Sequence, residues 1–318
     1  MEQPIPIPGE MIPEIPKPEL EEPKSRANVW LKSLGSLAVF LLIGYFFFKE
    51  NWTLVLVLTG VVVFHELGHF IAMKVYKYQD LGIFFIPLLG AYVSGKKQEV
   101  SQKQSAIILL AGPIPGIFLG IILHFIAISI DHRLLENTAW VLIFLNVLNL
   151  LPVYPLDGGQ LLHRLFLDDY NILGKIFVIL SATLMIWIAI SSGFYFLLFF
   201  PFMMISRMIG DLQHERIEKK IEAEGIDLMK SYDQLTPEEY WNIRNAVIKH
   251  YPQFKEVNPS PPYEISPKED QIITIIQGLL QRSMIQDLSL TGKFLILLIW
   301  ITFFLAPFII KNPLSSLL

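Results

Sequence analysis

Long uncharged runs are the feature that most constrains the fold of this chain of 318 residues. Hydrophobic residues make up 53% of it and charged residues 17%, with few of the charges between residues 33 and 206. A soluble domain of that size needs far more surface charge, whereas a helix of roughly 20 apolar residues matches the bilayer's hydrocarbon core. We therefore predict an all-α polytopic membrane protein and exclude a purely soluble globule.

Six runs are long enough to cross or nearly cross a bilayer. They are Ser33–Phe48, Asn51–Met73, Gln104–Ile130, Asn137–Leu156, Ile176–Ser206 and Phe294–Ile310. The fifth run has 31 residues, with Ser191, Ser192 and Gly193 near its middle, which favours a hairpin of two short helices over one overlong span. The prediction is therefore about seven transmembrane helices.

The charged residues flank these runs and predict the domain organisation. Basic loop residues fall on one side of the membrane if the fifth run is two helices, so the positive-inside rule makes that side cytosolic. Thr236 and Ser266 each begin a pattern of hydroxyl, proline and glutamate that is typical of a helix start. The predicted parts are a disordered Pro/Glu-rich tail (1–28), a membrane core (29–210), a soluble helical segment that is cytosolic (211–290) and a final membrane helix (291–318).

Composition also limits the chemistry. The chain has no cysteine, so disulfides, zinc-thiolate sites, iron–sulfur clusters and cysteine nucleophiles are excluded. A formal net charge of -4 gives no reason to expect nucleic acid as a partner. Any metal must therefore be held by histidine and carboxylate side chains.

The main chemical signal is the sequence His65-Glu66-Leu67-Gly68-His69. On a helix the two histidines share one face and can bind one metal ion, while Glu66 is placed to handle the proton of an attacking water. Ionisable groups inside an apolar span cost several kcal/mol unless they are paired or bound to metal, so they are usually functional. Chance occurrence of the pattern is the alternative.

A catalytic zinc site needs a third protein ligand. The candidates are Glu99, His124, Asp131, His132, Asp157 and His163. Asp157 is best placed, because it follows Pro152 and Pro155 at the cytosolic end of the fourth span and precedes Gly158. The prolines predict that this segment is unwound and turns the carboxylate inward. A capping or turn aspartate is an equally good interpretation from the residues alone.

Three motifs in order resemble the site-2 protease family of intramembrane zinc metalloproteases, the M50 peptidases. They are the HELGH sequence, Ala111-Gly112-Pro113, and the stretch Asn-x-x-Pro-x-x-Pro-Leu-Asp-Gly that begins at Asn149. The resemblance implies that His65, His69 and Asp157 bind one Zn2+ per chain, that Glu66 is the catalytic base, and that Asn149 binds the substrate carbonyl or its oxyanion. It also implies that residues 82–93 form a re-entrant β-hairpin beside the metal, with a plain interfacial loop as the alternative.

The resulting hypothesis is an intramembrane zinc endopeptidase that cleaves a single-pass transmembrane substrate near the cytosolic side of the cell membrane. An anti-sigma factor or a similar membrane-anchored regulator would be a substrate of this kind. One alternative is a protease of the prenylated-protein-processing type, but the later spans lack the glutamate ligand it needs. The other is a catalytically silent scaffold or transporter with a structural metal site, which would not need Glu66.

Overall fold

The computed structural model describes most of the chain. The described residues are 16–19, 26–48, 51–87, 90–97, 100–167, 172–228, 230, 232–258, 266–280 and 285–310. The helices are α1 Arg26–Phe47, α2 Trp52–Val75, α3 Gln102–Ala111, α4 Pro113–Ser129, α5 Arg133–Asn149, α6 Asp157–Leu162, α7 Ile172–Ser192, α8 Phe199–Ala223, α9 Pro237–His250, α10 Glu269–Leu280 and α11 Leu290–Ile309; the strands are β1 Gln79–Ile86 and β2 Gly90–Lys96.

The chain divides into two compact units. The membrane unit comprises residues 23–208 and 284–318, and the helical unit comprises residues 1–22 and 209–283. The membrane unit contains both strands and all of the residues predicted to bind metal. Helix α8 begins in the membrane unit and continues into the helical unit.

Most helices of the membrane unit are long enough to cross a bilayer. Within the described ranges, six spans are long and apolar enough to cross a bilayer, with α3 and α4 counted as one continuous span. Helix α5, the predicted fourth span and not one of these six, has only 17 residues because the backbone leaves the helix at Leu150. The unwinding predicted before Asp157 is therefore confirmed, and it shortens the span in which it occurs.

Two other spans are interrupted at glycine. Gly112 separates α3 from α4, where Pro113 begins a new helix because its ring prevents a continuous hydrogen-bond ladder. Gly193, with a φ of 73°, ends α7 before the chain continues into α8. The prediction of two helices in the run from Ile176 to Ser206 is confirmed.

Strands β1 and β2 form an antiparallel hairpin directly after α2. Ile86 pairs with Gly90, and Phe84 pairs with Tyr92. The Phe84 and Tyr92 rings lie on the same face with centroids 5.6 Å apart, an aromatic cross-strand pair that stabilises the register. The structure therefore has the hairpin predicted for residues 82–93 and not a plain loop.

The helical unit is built around α9 and α10. Thr236 and Glu239 form the predicted capping box at the start of α9. At the second predicted start, the Ser266 N–H donates to Glu269 Oε2 (3.3 Å), but the Ser266 hydroxyl accepts from the Lys268 N–H instead of the Glu269 N–H. Only half of that box forms.

A buried ion pair joins the two helices of this unit. Arg244 donates through Nε and Nη2 to the two carboxylate oxygens of Glu269, both at 2.8 Å, and the Tyr240 hydroxyl donates to Oε1 (2.8 Å). Burial works to raise the pKa of Glu269, but the hydrogen bonds from Arg244 and Tyr240 outweigh it and hold this pKa below its ordinary value. The carboxylate is thus ionised and paired at neutral pH.

Part of the proline-rich N-terminal segment also packs in the helical unit. Lys17 Nζ donates to the carbonyl oxygens of Tyr232 (2.8 Å), Asp233 (3.1 Å) and Leu235 (2.9 Å). The Tyr232 hydroxyl donates in return to the Pro18 carbonyl (2.8 Å). In contrast to the predicted disordered tail, residues 16–19 are therefore docked; the rest of 1–25 lies outside the described residues.

Candidate metal centre

Helix α2 brings His65 and His69 to one face. The apolar, charge-free sequence on either side favours an uninterrupted helix, in which residues four apart are neighbours. The two histidines are 7% and 8% exposed, and their Nε2 atoms lie 3.1 Å apart. One face of the helix therefore presents two imidazole nitrogens to the same point.

Asp157 joins them from the start of α6. The chain leaves α5 at Leu150, crosses an irregular segment through Pro152 and Pro155, and enters α6 with Asp157 as its first residue. Asp157 Oδ2 lies 3.1 Å from Nε2 of His65 and 3.2 Å from Nε2 of His69. These residues form a group of the kind that can hold a metal ion.

Hydrogen bonds at the other ring nitrogens define the tautomer of each histidine. His65 Nδ1 lies 2.8 Å from Oδ1 of Asn146, whose amide nitrogen donates to the Leu142 carbonyl (2.7 Å) and so fixes the orientation of the carboxamide. His69 Nδ1 lies 2.7 Å from the carbonyl oxygen of Ile108. Both Nδ1 atoms must donate, because both partners are acceptors, so each neutral ring presents an unprotonated Nε2.

When both rings are neutral, three acceptor atoms converge with no proton between them. Asp157 Oδ2 is buried and has no hydrogen-bond donor. Such an arrangement is repulsive unless a cation lies at its centre. Tetrahedral ligands about 2.0–2.1 Å from zinc are roughly 3.3 Å from one another, close to the separations of 3.1–3.2 Å found here. The donor set therefore fits a divalent metal ion such as zinc.

Glu66 lies next to this group in the chain. It is 6% exposed, on the helical turn between the two histidines. Carboxylates are seldom buried to this degree unless they are paired or have a function. The place of Glu66 beside the metal group is the one expected for a residue that transfers protons at the metal.

Gly112 explains the Ala-Gly-Pro motif. A Cβ at this position would lie 2.3 Å from Nε2 of His69, much closer than atoms can approach without a bond. The imidazole therefore lies directly against the backbone at the break between α3 and α4. A side chain there would displace a metal-binding nitrogen, which gives the motif a physical role at the centre.

The other ligand candidates that the structure describes lie outside this group. His124 is buried against the Trp140 ring (4.9 Å between centroids), and His163 lies between the rings of Tyr154 and Phe177. Asp131 occupies a turn with a φ of 51°, and His132 caps α5 by accepting a hydrogen bond from the Leu135 N–H. Glu99 lies outside the described residues.

Asn149, the predicted substrate-binding residue, is not part of the metal group. It is partly buried at the last turn of α5, and its amide donates to the Leu145 carbonyl one turn back (3.2 Å). Asn146, which the sequence analysis did not identify, is instead the residue that orients His65. A single amide within the apolar run 139–148 was the signal that could have identified it.

Comparison with known proteins finds a family model that matches part of the chain. The model of peptidase family M50 matches residues 53–132, which include the His-Glu pair and the Ala-Gly-Pro motif. Over these residues the chain is similar to peptidase family M50. The resemblance is thus confirmed for two of the three motifs that suggested it, the HELGH sequence and Ala111-Gly112-Pro113.

Two curated relatives match part of the chain. The zinc metalloprotease MJ0392 of Methanocaldococcus jannaschii is 30% identical over 128 residues, covering 38% of this chain and 37% of that protein. Stage IV sporulation protein FB of Bacillus subtilis is 31% identical over 111 residues, covering 33% and 38%. The chain thus spans less than two fifths of the length of either relative.

A solved structure also overlaps with this one. It is the site-2 protease from Methanocaldococcus jannaschii, which is 23% identical, covers 53% of this chain and 84% of its own, and gives a TM-score of 0.41.

Proposed function

We propose that this chain is a member of peptidase family M50 and an intramembrane zinc endopeptidase. The observation that carries the proposal is the convergence of three ligand atoms, from His65, His69 and Asp157, beside the buried Glu66. When bound, zinc supplies a Lewis acid that polarises a carbonyl and lowers the pKa of water. The zinc-metalloprotease name of one relative supports the choice of metal.

The protein side chains divide the remaining work. Glu66 accepts the proton of the attacking water and returns it to the leaving amine. Asn146 and the Ile108 carbonyl keep the two histidines in the tautomer that presents Nε2. Asn149 donates its amide to the substrate carbonyl oxygen, which requires it to exchange its present bond to Leu145 for one to the substrate.

The substrate is a single-pass transmembrane segment of a membrane-anchored protein. A helical peptide bond is protected by its own hydrogen bonds, so the segment has to unwind before its carbonyl can be attacked. The Phe85 N–H of β1 donates to the Ser36 hydroxyl of α1 (3.1 Å), whereas β2 pairs with no strand other than β1 among the described residues, so its outer edge is the one that would pair with such an unwound segment. A membrane-bound regulator of transcription, such as an anti-sigma factor, is a substrate of the expected type.

The active site faces the cytosol in this proposal. With seven crossings and the basic loops inside, the helical unit is cytosolic and the turn before α5 is external. Single cysteines in this cysteine-free chain test the arrangement with an impermeant thiol reagent on intact cells. We expect labelling of Arg133→Cys and Ser316→Cys but not of Glu238→Cys. Labelling of Glu238→Cys would place the helical unit outside and would remove one of the crossings.

Activity is tested with the Glu66→Gln variant. Because Glu66 transfers protons and contributes no metal ligand, this variant should retain one zinc per chain and lose cleavage of transmembrane substrates in detergent. Asp157→Ala is the complementary variant and should lose stoichiometric zinc. Turnover of Glu66→Gln equal to that of the parent would support the alternative, a silent scaffold or transporter with a structural metal site.

A further inference from the structure

Trp300 in the last membrane helix contacts the backbone that leads to the metal centre. It is 9% exposed, and its indole Nε1–H donates to the carbonyl oxygen of Leu150 at 3.0 Å. Its ring is stacked on Phe304 with centroids 5.8 Å apart. Helix α11 is distant in sequence from α5 and α6, so this bond joins the end of the chain to the centre of the membrane unit.

The Leu150 carbonyl needs an external donor because the helix ends there. In a continuous helix it would accept from the N–H of Tyr154, but that N–H donates to the Ser181 hydroxyl instead (3.2 Å). Leu150 is fully buried, so water is a poor substitute. Trp300 therefore satisfies a carbonyl that the unwinding of α5 would otherwise leave without a partner.

The same carbonyl oxygen packs against the residue after Asp157. A Cβ added to Gly158 would lie 2.1 Å from Leu150 O, so the backbone of Gly158 is in direct contact with this oxygen. A shift of the carbonyl therefore shifts Gly158, and with it the start of α6. Trp300, Leu150 and Gly158 form a continuous series of contacts that ends at Asp157.

The segment before helix α11 is hydrogen-bonded to the start of α3. The Ile285 N–H donates to the Val100 carbonyl (3.0 Å), and the Ile285 carbonyl accepts from the Gln102 N–H (2.8 Å). Asp287 Oδ1 accepts a further bond from the Lys103 N–H (3.0 Å). The Trp300 indole therefore lies on a helix whose preceding segment is held by hydrogen bonds, as a residue that positions the Leu150 carbonyl requires.

We propose that Trp300 is a positioning residue for Asp157, so that the last membrane helix completes the metal centre without contributing a ligand. This inference rests on the proposed function, in which Asp157 binds zinc. It predicts that removing the indole N–H leaves the fold intact but allows the Leu150 carbonyl, Gly158 and Asp157 to move away from the two histidines.

The first test compares the same substitution, tryptophan to phenylalanine, at two positions. Trp300→Phe removes the N–H and retains a ring to stack on Phe304, while Trp187→Phe changes a tryptophan that is 66% exposed on α7. Zinc release to an excess of chelator should be about tenfold faster in Trp300→Phe than in Trp187→Phe, the scale expected for lost outer hydrogen bonds at metal sites. The absorption spectrum of the cobalt-substituted protein should change only in Trp300→Phe.

The second test uses the unsubstituted protein and so does not depend on the folding of Trp300→Phe. Its indole N–H signals are recorded by ¹⁵N-resolved NMR before and after zinc removal. Single replacement of the five other tryptophans identifies the Trp300 signal by elimination. The Trp300 signal should move when zinc is removed, whereas the Trp187 signal should not.

The outcomes separate this inference from the proposed function. Parent protein that binds no zinc overturns both. Parent protein that binds zinc and cleaves, with an unmoved Trp300 signal and equal zinc release from the two tryptophan variants, overturns only the inference and makes Trp300 a packing residue. A moved signal together with faster zinc release from Trp300→Phe supports the inference.

Discussion

Asn146 is the residue whose substitution most directly tests the hydrogen-bond arrangement of the metal centre. Replacing it with leucine keeps a side chain of similar size and removes the oxygen that accepts from His65 Nδ1–H at 2.8 Å. The position is fully buried, so no water replaces the lost acceptor. The imidazole then has a buried donor without a partner and is free to rotate or change tautomer.

The expected loss of zinc affinity follows from two known ranges of free energy. A buried donor left without its partner costs about 1–3 kcal/mol. Loss of the outer partner of a metal-binding histidine typically weakens metal binding by about 10- to 100-fold, which is the same range of free energy. We therefore expect zinc to bind Asn146→Leu about 30-fold more weakly than the parent chain.

Competition with a chromophoric chelator measures this affinity, and two variants serve as controls. Asn146→Asp retains an oxygen acceptor for His65 and should retain zinc. Asn149→Leu changes another asparagine of the same helix, one that does not contact the histidines, and should also retain zinc while losing turnover because it no longer donates to the substrate carbonyl. If Asn146→Leu bound zinc as tightly as Asn149→Leu, the assignment of the histidine tautomers would be wrong.

Three further predictions concern other parts of the molecule. Gly112→Ala should lose zinc measured by elemental analysis, because the new methyl group overlaps His69 Nε2, whereas Gly210→Ala, with open space around it, should retain zinc. Glu269→Gln should destabilise the helical unit by about 3–5 kcal/mol, measured by hydrogen exchange in the full chain, because it leaves Arg244 buried without its counter-charge. The folded-state pKa of Glu269 is lowered, so the stability that this pair gives the parent protein should be fully present above about pH 4.5 and be lost as the pH falls further. A parent protein whose stability does not change across that pH range would contradict this prediction. Lys17→Met should increase exchange in residues 232–235 by removing three carbonyl contacts, while Lys219→Met, at an exposed pair, should not.

The sequence predicted the parts of the site that local patterns determine. The spacing of His65 and His69 requires only a helix, and the apolar run around them indicates one. Asp157 could be selected because Pro152 and Pro155 predict the end of a helix before it. The choice between a ligand and a turn aspartate could not be made locally, since it depends on how α6 packs beside α2.

The residues that sequence reasoning missed act through contacts between distant segments. Asn146 and His65 are 81 positions apart, and Trp300 and Leu150 are 150 apart. Their side chains have no periodicity or spacing that indicates a partner. Residues 16–19 were missed for a related reason, because a proline-rich segment has no core of its own and becomes ordered only by packing on Tyr232 and its neighbours.

The central claim is that zinc held by His65, His69 and Asp157 acts with Glu66 to hydrolyse a peptide bond inside a membrane-spanning segment. The most direct measurement incubates the zinc-loaded protein with solubilised membranes of its source cell in H₂¹⁸O and identifies new carboxyl termini by mass spectrometry. We expect ¹⁸O-labelled termini that lie within transmembrane segments of single-pass proteins and that are absent when zinc-loaded Glu66→Gln is used. Absence of such termini with the parent protein, or the same termini with Glu66→Gln, would contradict it.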